Sequence, residues 1–180
     1  MSKTFINLVG TQGTGKTTIL KLMESEMNFN IITEVVRKLN KTGVNINESG
    51  NDEGQQIIFN TYVDTFNNID KELNWVSDRG LIDVASYTKY LYDHGNVSKQ
   101  VYEEQLAFLN DWYKTHKVII CYFPIEFDVV NDGVRSVNEE FRKEVDNNIR
   151  WILNELQIDH YIIEGSVHDR LELMKAIVEF

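Results

Sequence analysis

Residues 10–17 read Gly-Thr-Gln-Gly-Thr-Gly-Lys-Thr, and this octapeptide restricts the fold more than any other stretch of the chain. Gly10 and Gly15 permit backbone angles and close approaches that a Cβ would block. A short apolar run, Thr4–Val9, leads into the segment. Lys16–Met27 leaves it with helical spacing, Ile19, Leu20, Leu22 and Met23 lying on the apolar side. Strand, glycine-rich turn and helix in that order aim several backbone N–H groups inward as an anion nest. The helix adds the positive end of its dipole, and phosphate is the group such a cradle takes. All the fixed positions of G-x-x-x-x-G-K-[ST] are met, and average glycine usage puts a chance match in a chain this long on the order of 1%. Gly10, Gln12, Gly13, Thr14, Gly15, Lys16, Thr17 and Thr18 are therefore the expected nucleotide-binding residues. Lys16 would reach the β- and γ-phosphates as a mobile point charge, and the Thr17 hydroxyl is suited to Mg²⁺. ATP and Mg²⁺ follow as the expected cofactors.

The rest of the chain alternates short apolar runs with amphipathic ones. Asn30–Thr33, Trp75–Ser77, Val118–Phe123 and His160–Ile163 read as strands. Glu34–Leu39 (closed by Gly43), Asp52–Leu73, Leu81–Tyr92, Ser98–Lys114, Asn138–Leu156 and Val167–Val178 read as helices or helical stretches. Interleaved strands and helices predict a parallel α/β sheet with helices on both faces, and right-handed crossovers bring the strand C-terminal ends to one edge. Ligands of such sheets bind at that edge. With no fixed-period repeat and no Gly/Ser/Pro linker, residues 1–180 are expected to form a single domain.

Composition narrows the function classes. The chain has 180 residues, 42% of them hydrophobic and 11% aromatic, enough for a sizeable core. A formal net charge of −10 opposes extended nucleic-acid binding and anionic membranes. Cys121 is the only cysteine, which rules out an intramolecular disulfide, and its apolar neighbours mark it as a buried strand residue. No run approaches the ~20 apolar residues of a membrane span, and the N-terminus leads straight into the glycine motif, so a cytoplasmic protein is expected. Abundant Asn with scarce Ala and Pro suggests an AT-rich source, such as a phage in its host's cytoplasm. The histidines (His94, His116, His160, His168) show no metal-ligand spacing.

Further candidates fall where strands end. Asp78 closes the Trp75–Ser77 strand beside the glycine turn, where it would hold Mg²⁺ directly or through water. As a purely structural residue it would cap the Leu81 helix. Arg79 follows and would face the acceptor or the transferring group. Glu34, just after the second strand, would orient or deprotonate an attacking hydroxyl, with Arg37 three residues on as a substrate contact. The alternative pairs Glu34 and Arg37 as a first-turn salt bridge. Asn131–Arg135 reads as a turn before a helix, so residues from about 131 to 145 form a candidate lid. Arg135 would meet the phosphates there, and Arg142, two turns along, would reach the substrate or else sit in a solvated salt-bridged helix. Glu164-Gly165-Ser166 after the last strand would pass the nucleotide base, or simply turn the chain with Ser166 as a cap.

Taken in order, the Gly10–Thr18 loop, Thr33-Glu34-Val35-Val36-Arg37, Ser77-Asp78-Arg79-Gly80-Leu81-Ile82-Asp83, Asp132-Gly133-Val134-Arg135-Ser136 and Glu164-Gly165-Ser166 with Arg170 resemble the NadR-like, nicotinamide riboside kinase-like P-loop family. More broadly they are similar to deoxynucleoside and thymidylate kinases. The resemblance implies a three-layer P-loop NTPase fold with a five-stranded parallel sheet and a small helical lid. It further implies Asp78 and Arg79 as the Asp-Arg pair near metal and acceptor, and Arg135 in the lid. The activity expected is phosphoryl transfer from ATP to a small nucleoside or nucleotide-like acceptor, be it nicotinamide riboside, a deoxynucleoside or a nucleoside monophosphate. Other readings stay open at this point. A nucleotide-dependent switch or binding module lacks its signatures here, since Asn40-Lys41-Thr42-Gly43 fails the last position of Asn-Lys-x-Asp. A mechanical ATPase would want an Asp-Glu pair at a strand end where Arg79 follows Asp78. A phage kinase acting on a modified base in DNA meets the objection of net charge.

Overall fold

A computed structural model describes residues 3–33, 35–126 and 138–179. Five strands, β1 (Phe5–Val9), β2 (Asn30–Ile32), β3 (Trp75–Asp78), β4 (Ile119–Tyr122) and β5 (His160–Ile162), form one sheet in the order β2-β3-β1-β4-β5. Every pairing in it is parallel. The helices are α1 (Lys16–Met27), α2 (Val35–Lys41), α3 (Asp52–Asn67), α4 (Leu81–Asp93), α5 (Lys99–Thr115), α6 (Glu139–Glu155) and α7 (Val167–Glu179). This is the three-layer α/β P-loop architecture expected from the sequence. Residues 127–137, which include the first half of the expected lid, lie outside the described residues; 138–145 belong to the start of α6 and its cap, Asn138, whose side chain accepts from the Glu140 and Phe141 N–H groups.

The central strand shows why the sheet is covered on both faces. Along β1, Ile6 and Leu8 point to a core made with Ile19, Leu20 and Met23 of α1 and with Met174 and Ile177 of α7. Phe5 and Val9 point to the larger core of α3, α4, α5 and α6, where Phe5 meets the ring of Phe66 edge-on at 4.9 Å. That alternation has the period of a strand, and with both faces buried it reads in the sequence as a nearly continuous apolar run. Each fully buried Leu or Ile contributes about 1.5–3 kcal/mol relative to exposure. The exception is Asn7, also fully buried, whose Oδ1 lies 3.5 Å from the Tyr113 hydroxyl.

The strand order positions the site. From β1 the chain crosses to β2 and returns to β3 on one side of β1, whereas β4 lies on the other. The carboxyl end of β1 is therefore the point at which the winding reverses, where an open α/β sheet leaves a crevice. The register aligns Leu8 with Asp78 and Cys121, so the segments after β1, β3 and β4 emerge side by side.

One expectation is corrected. The amphipathic stretch beginning at Asp52 ends its helix at Asn67 rather than running on to Leu73. The Asn68 carboxamide donates to Asp64 O at 2.7 Å, and Asp70 folds its carboxylate onto the Glu72 N–H while its carbonyl accepts from the Trp75 indole. These local side-chain bonds outcompete continuation of the helix. Ile69 still packs on the core, but Leu73 is left exposed.

Candidate active site

The glycine loop wraps the ammonium of Lys16, whose Nζ donates to Gly10 O and Thr11 O at 2.7 Å and to Thr14 Oγ1 at 3.1 Å. Gly15 sits in the left-handed region at φ 87° and caps α1. Gly10 is fixed by space as well as angle, because a Cβ there would lie 2.6 Å from Phe123 O just beyond β4. The helix start, its first N–H groups and Lys16 thus converge on one concavity.

The loop does not hold its shape alone. Asp83 of α4 accepts from the Gly10 N–H and from the Gly80 N–H, both at 3.0 Å, so one carboxylate staples the loop entrance to the β3–α4 turn. Burial pushes the Asp83 carboxyl up, while Arg79, Lys16 and the two backbone donors pull it down. Arg142 of α6 donates from Nε to Gln12 O at 2.9 Å and from an Nη to Gly13 O at 3.3 Å, with Glu139 beside it. Arg170 of α7 donates to Thr14 O at 2.6 Å and to Gly165 O at 3.0 Å, and pairs with Glu126 beyond β4. Both guanidiniums are only 1% exposed. Buried cations of this kind are stable only when paired and fully hydrogen-bonded. Here that requirement ties three loop carbonyls to two helices.

Facing the loop, Asp78 accepts from the Thr17 hydroxyl at 2.8 Å. One hydroxyl and one carboxylate side by side at a phosphate cradle are the hard oxygen donors that Mg²⁺ takes, its remaining positions going to water and phosphate. The residues present therefore fit the ion. Arg79 adopts a left-handed φ of 75°, a conformation that costs a non-glycine residue about 1–3 kcal/mol. It is held there by the Ser77 hydroxyl on its carbonyl, by its own N–H on Leu8 O, and by a bond from its Nη1 to the Tyr87 hydroxyl. Burial by itself would lower its pKa, but Tyr87, Asp83 and Asp78 more than offset that and push it up, so the guanidinium stays charged. The next residue is a glycine in close contact: a Cβ at Gly80 would lie 2.4 Å from Asn7 Oδ1 of β1, so the Asn7 side chain would have to shift.

From the loop a single cleft of about 230 Å³ runs under α2 and between α3 and α4. Beyond the loop its walls are mixed, with the apolar and aromatic Val36, Ile46, Ile58, Tyr62, Val84 and Tyr87 beside the polar Asn47, Gln55 and Arg37. Burial pushes the Tyr62 phenol far up, so it enters as a neutral group.

The site residues expected from sequence fall into distinct places. Gln12, Gly13, Thr14, Gly15, Lys16, Thr17 and Thr18 line the cleft together with Arg37, Asp78 and Arg79. Gly10 lies behind them at the loop entrance. Arg142 is turned onto the back of the loop and is not among the cleft-lining residues. Gly165 donates its N–H to Glu126, and Ser166 caps α7 in a reciprocal pair with Asp169, so these two also stand away from the cleft. Glu34 and Arg135 lie outside the described residues. The structural parts of Asp83, Arg170 and Glu126 escape a reading of motifs. A faint signal exists for the arginines: Arg142 and Arg170 each sit about one turn into a helix, where the dipole disfavours a cation, and a residue placed against the dipole usually has a partner elsewhere.

Comparisons with known proteins agree with this fold. A family model described as AAA domain matches residues 5–170, and the chain belongs to that family. No curated protein matches the sequence. Among solved structures, the NadR protein in complex with NR superposes with a TM-score of 0.77 at 17% identity, covering 99% of this chain and 51% of that one. This chain thus spans about half the length of NadR. Deoxyadenosine kinase from M. mycoides with bound dATP gives a TM-score of 0.68 at 18% identity, with 100% of both chains covered. Thymidylate kinase from Candida albicans gives 0.68 at 14%, covering 99% of this chain and 92% of that one. At these identities the likeness is one of fold. No helix among the described residues is long and apolar enough to cross a membrane.

Proposed function

We propose that this member of the AAA domain family is an ATP- and Mg²⁺-dependent kinase that phosphorylates a nucleoside or nucleotide-like small molecule. The observation that carries the reading is the continuity of the cleft: the phosphate loop and the Thr17–Asp78 pair open into the same space of about 230 Å³ as the apolar and tyrosine side chains of α2, α3 and α4. A pure nucleotide-binding module needs only the first half. The remainder offers apolar and tyrosine side chains with a few polar groups, the kind of lining that takes a heterocycle, next to the place where a γ-phosphate would lie.

In this reading the N–H groups from Gly13 to Thr18 and the Lys16 ammonium hold the β- and γ-phosphates, with Gly165 and Ser166 toward the nucleotide base. Thr17 and Asp78 hold Mg²⁺, which when bound neutralises phosphate charge. Arg79 faces the transferring group from the acceptor side, and Arg37 contacts the acceptor. Glu34 orients the attacking hydroxyl, Arg135 covers the phosphates from the lid, and Arg142, expected from sequence as a substrate contact, instead keeps the donor-side loop in shape from behind. The protein contributes position and preorganised charge rather than covalent chemistry. The net charge of −10 supports a free small-molecule acceptor rather than extended nucleic acid. Residues 1–180 would act as one kinase domain in the cytoplasm.

The test is ADP release from Mg-ATP against nicotinamide riboside, deoxynucleosides, nucleoside monophosphates and duplex DNA with and without modified pyrimidines, with Lys16→Ala alongside. Stimulation by one small acceptor, lost in the variant, is the expected result and names the substrate. Tight nucleotide binding with slow hydrolysis that no acceptor stimulates would overturn the kinase reading in favour of a binding module.

A further inference from the structure

We propose that Tyr87 is a positioning residue whose phenol couples Arg79 to the phosphate loop, so that the guanidinium on the acceptor side is set by the state of the loop on the donor side. The inference rests on the kinase reading above and adds to it a link between the two halves of the cleft.

The chain of bonds is short and directional. Tyr87 O–H donates to Gln12 Oε1 at 2.6 Å, and its oxygen accepts from Arg79 Nη1 at 3.0 Å. A phenol has one proton to give; here it goes to the loop and leaves a lone pair for the arginine. Gln12 is itself restrained, its Oε1 accepting also from the Thr11 hydroxyl at 2.9 Å and its carbonyl from Arg142 Nε at 2.9 Å. The glutamine is 3% exposed, so its carboxamide has little freedom to follow Tyr87 unless the loop moves with it. At the other end the Tyr87 ring is fixed edge-on against Phe141 at 5.6 Å, and the Arg79 guanidinium lies 5.4 Å from the ring centroid.

Arg79 needs such a restraint. Its backbone is already committed to the left-handed region at φ 75°, which aims the side chain into the cleft wall, but the guanidinium at the end of its flexible stem has many rotamers. A charged group contributes most to a transfer reaction when it is in place before charge develops. Tyr87 supplies both a stacking face and one hydrogen bond, and reads the position of Gln12 at the same time.

Tyr87→Phe keeps the ring, its packing on Phe141 and the cation–π contact, and deletes only the two bonds. We expect kcat to fall about tenfold, the size of one charge-assisted hydrogen bond, with KM for Mg-ATP and acceptor changed by less than about threefold. In an Arg79→Lys background, Tyr87→Phe should cause no further loss, because the group it positions is gone. Gln12→Met, which removes the acceptor at the loop end, should mimic Tyr87→Phe should that variant fold poorly. A second readout needs no turnover: the Arg79 Nη signals in arginine-labelled NMR spectra should be resolved in the wild type and averaged by rotation in Tyr87→Phe. Unchanged kcat, an equal loss in both backgrounds, or unchanged Nη signals would overturn the proposal. A wild type that phosphorylates no acceptor would defeat the kinase reading, while the NMR comparison would still decide whether Tyr87 restrains Arg79.

Discussion

Asp83→Asn is a sharp probe of how the phosphate loop is held. The two carboxylate oxygens accept from the Gly10 and Gly80 N–H groups, each at 3.0 Å. An asparagine of the same shape offers one oxygen and one NH₂, so one backbone N–H keeps its acceptor and the other meets a donor. Leaving a buried N–H unsatisfied costs about 1–3 kcal/mol. Part of that is returned, since burial disfavours the Asp83 charge in the first place. The net expectation is a destabilisation of about 1–2 kcal/mol, which at 2–4 °C per kcal/mol for a domain of this size lowers Tm by about 2–8 °C. Asp83→Ala leaves both N–H groups bare and is expected to cost about twice as much. Because Gly10 opens the loop, Mg-ATP affinity should fall with stability, by about three- to tenfold. Urea unfolding followed by tryptophan fluorescence reads the first quantity and calorimetric titration the second. An asparagine variant with unchanged unfolding midpoint and unchanged affinity would refute the claim that Asp83 staples the loop.

Other expectations follow from the same contacts. Gly80→Ala places a Cβ 2.4 Å from Asn7 Oδ1 and should destabilise by about 1–3 kcal/mol through overpacking; pairing it with Asn7→Ala should recover most of the loss in thermal melts. Thr17→Ala should weaken nucleotide binding about tenfold or more in the presence of Mg²⁺ and little in EDTA, as measured by titration with each form. The Ser166 hydroxyl and N–H hold the Asp169 carboxyl below its usual value. The stability this supplies is present above the ordinary carboxylate pKa of about 3.9 and is lost as pH falls through the lowered folded value. Carboxyl NMR titration should show Asp169 low in the wild type and raised part of the way toward the ordinary value in Ser166→Ala, which removes the hydroxyl and keeps the backbone bond.

Much of the fold is legible in local residues. The β1 run, the glycine turn and the apolar stripe of α1 are adjacent in the chain, so short-range physics alone makes strand, loop and helix in that order. The helix starts at Asn51, Ser98 and Asn138 are marked by side chains that cap their own backbone. What went astray, the end of α3, went astray because Asn68 and Asp70 satisfy the chain in a way that an apolar periodicity does not register.

The sequence by itself determined the strand, glycine turn and helix that make the cradle of residues 10–18, because every group in that cradle comes from one continuous segment whose backbone angles are set by its own glycines. It also determined that Asp78 and Arg79 close a strand. Only the tertiary structure decided that the Thr17 hydroxyl meets Asp78, which depends on β3 lying next to β1 with Leu8 in register with Asp78. Only it decided that Asp83, Arg142 and Arg170, up to 156 residues away from their partners in the chain, turn inward to hold the loop's N–H and carbonyl groups. A buried charge is stable only where partners from other elements converge on it, and that convergence is a property of packing that no window of sequence contains.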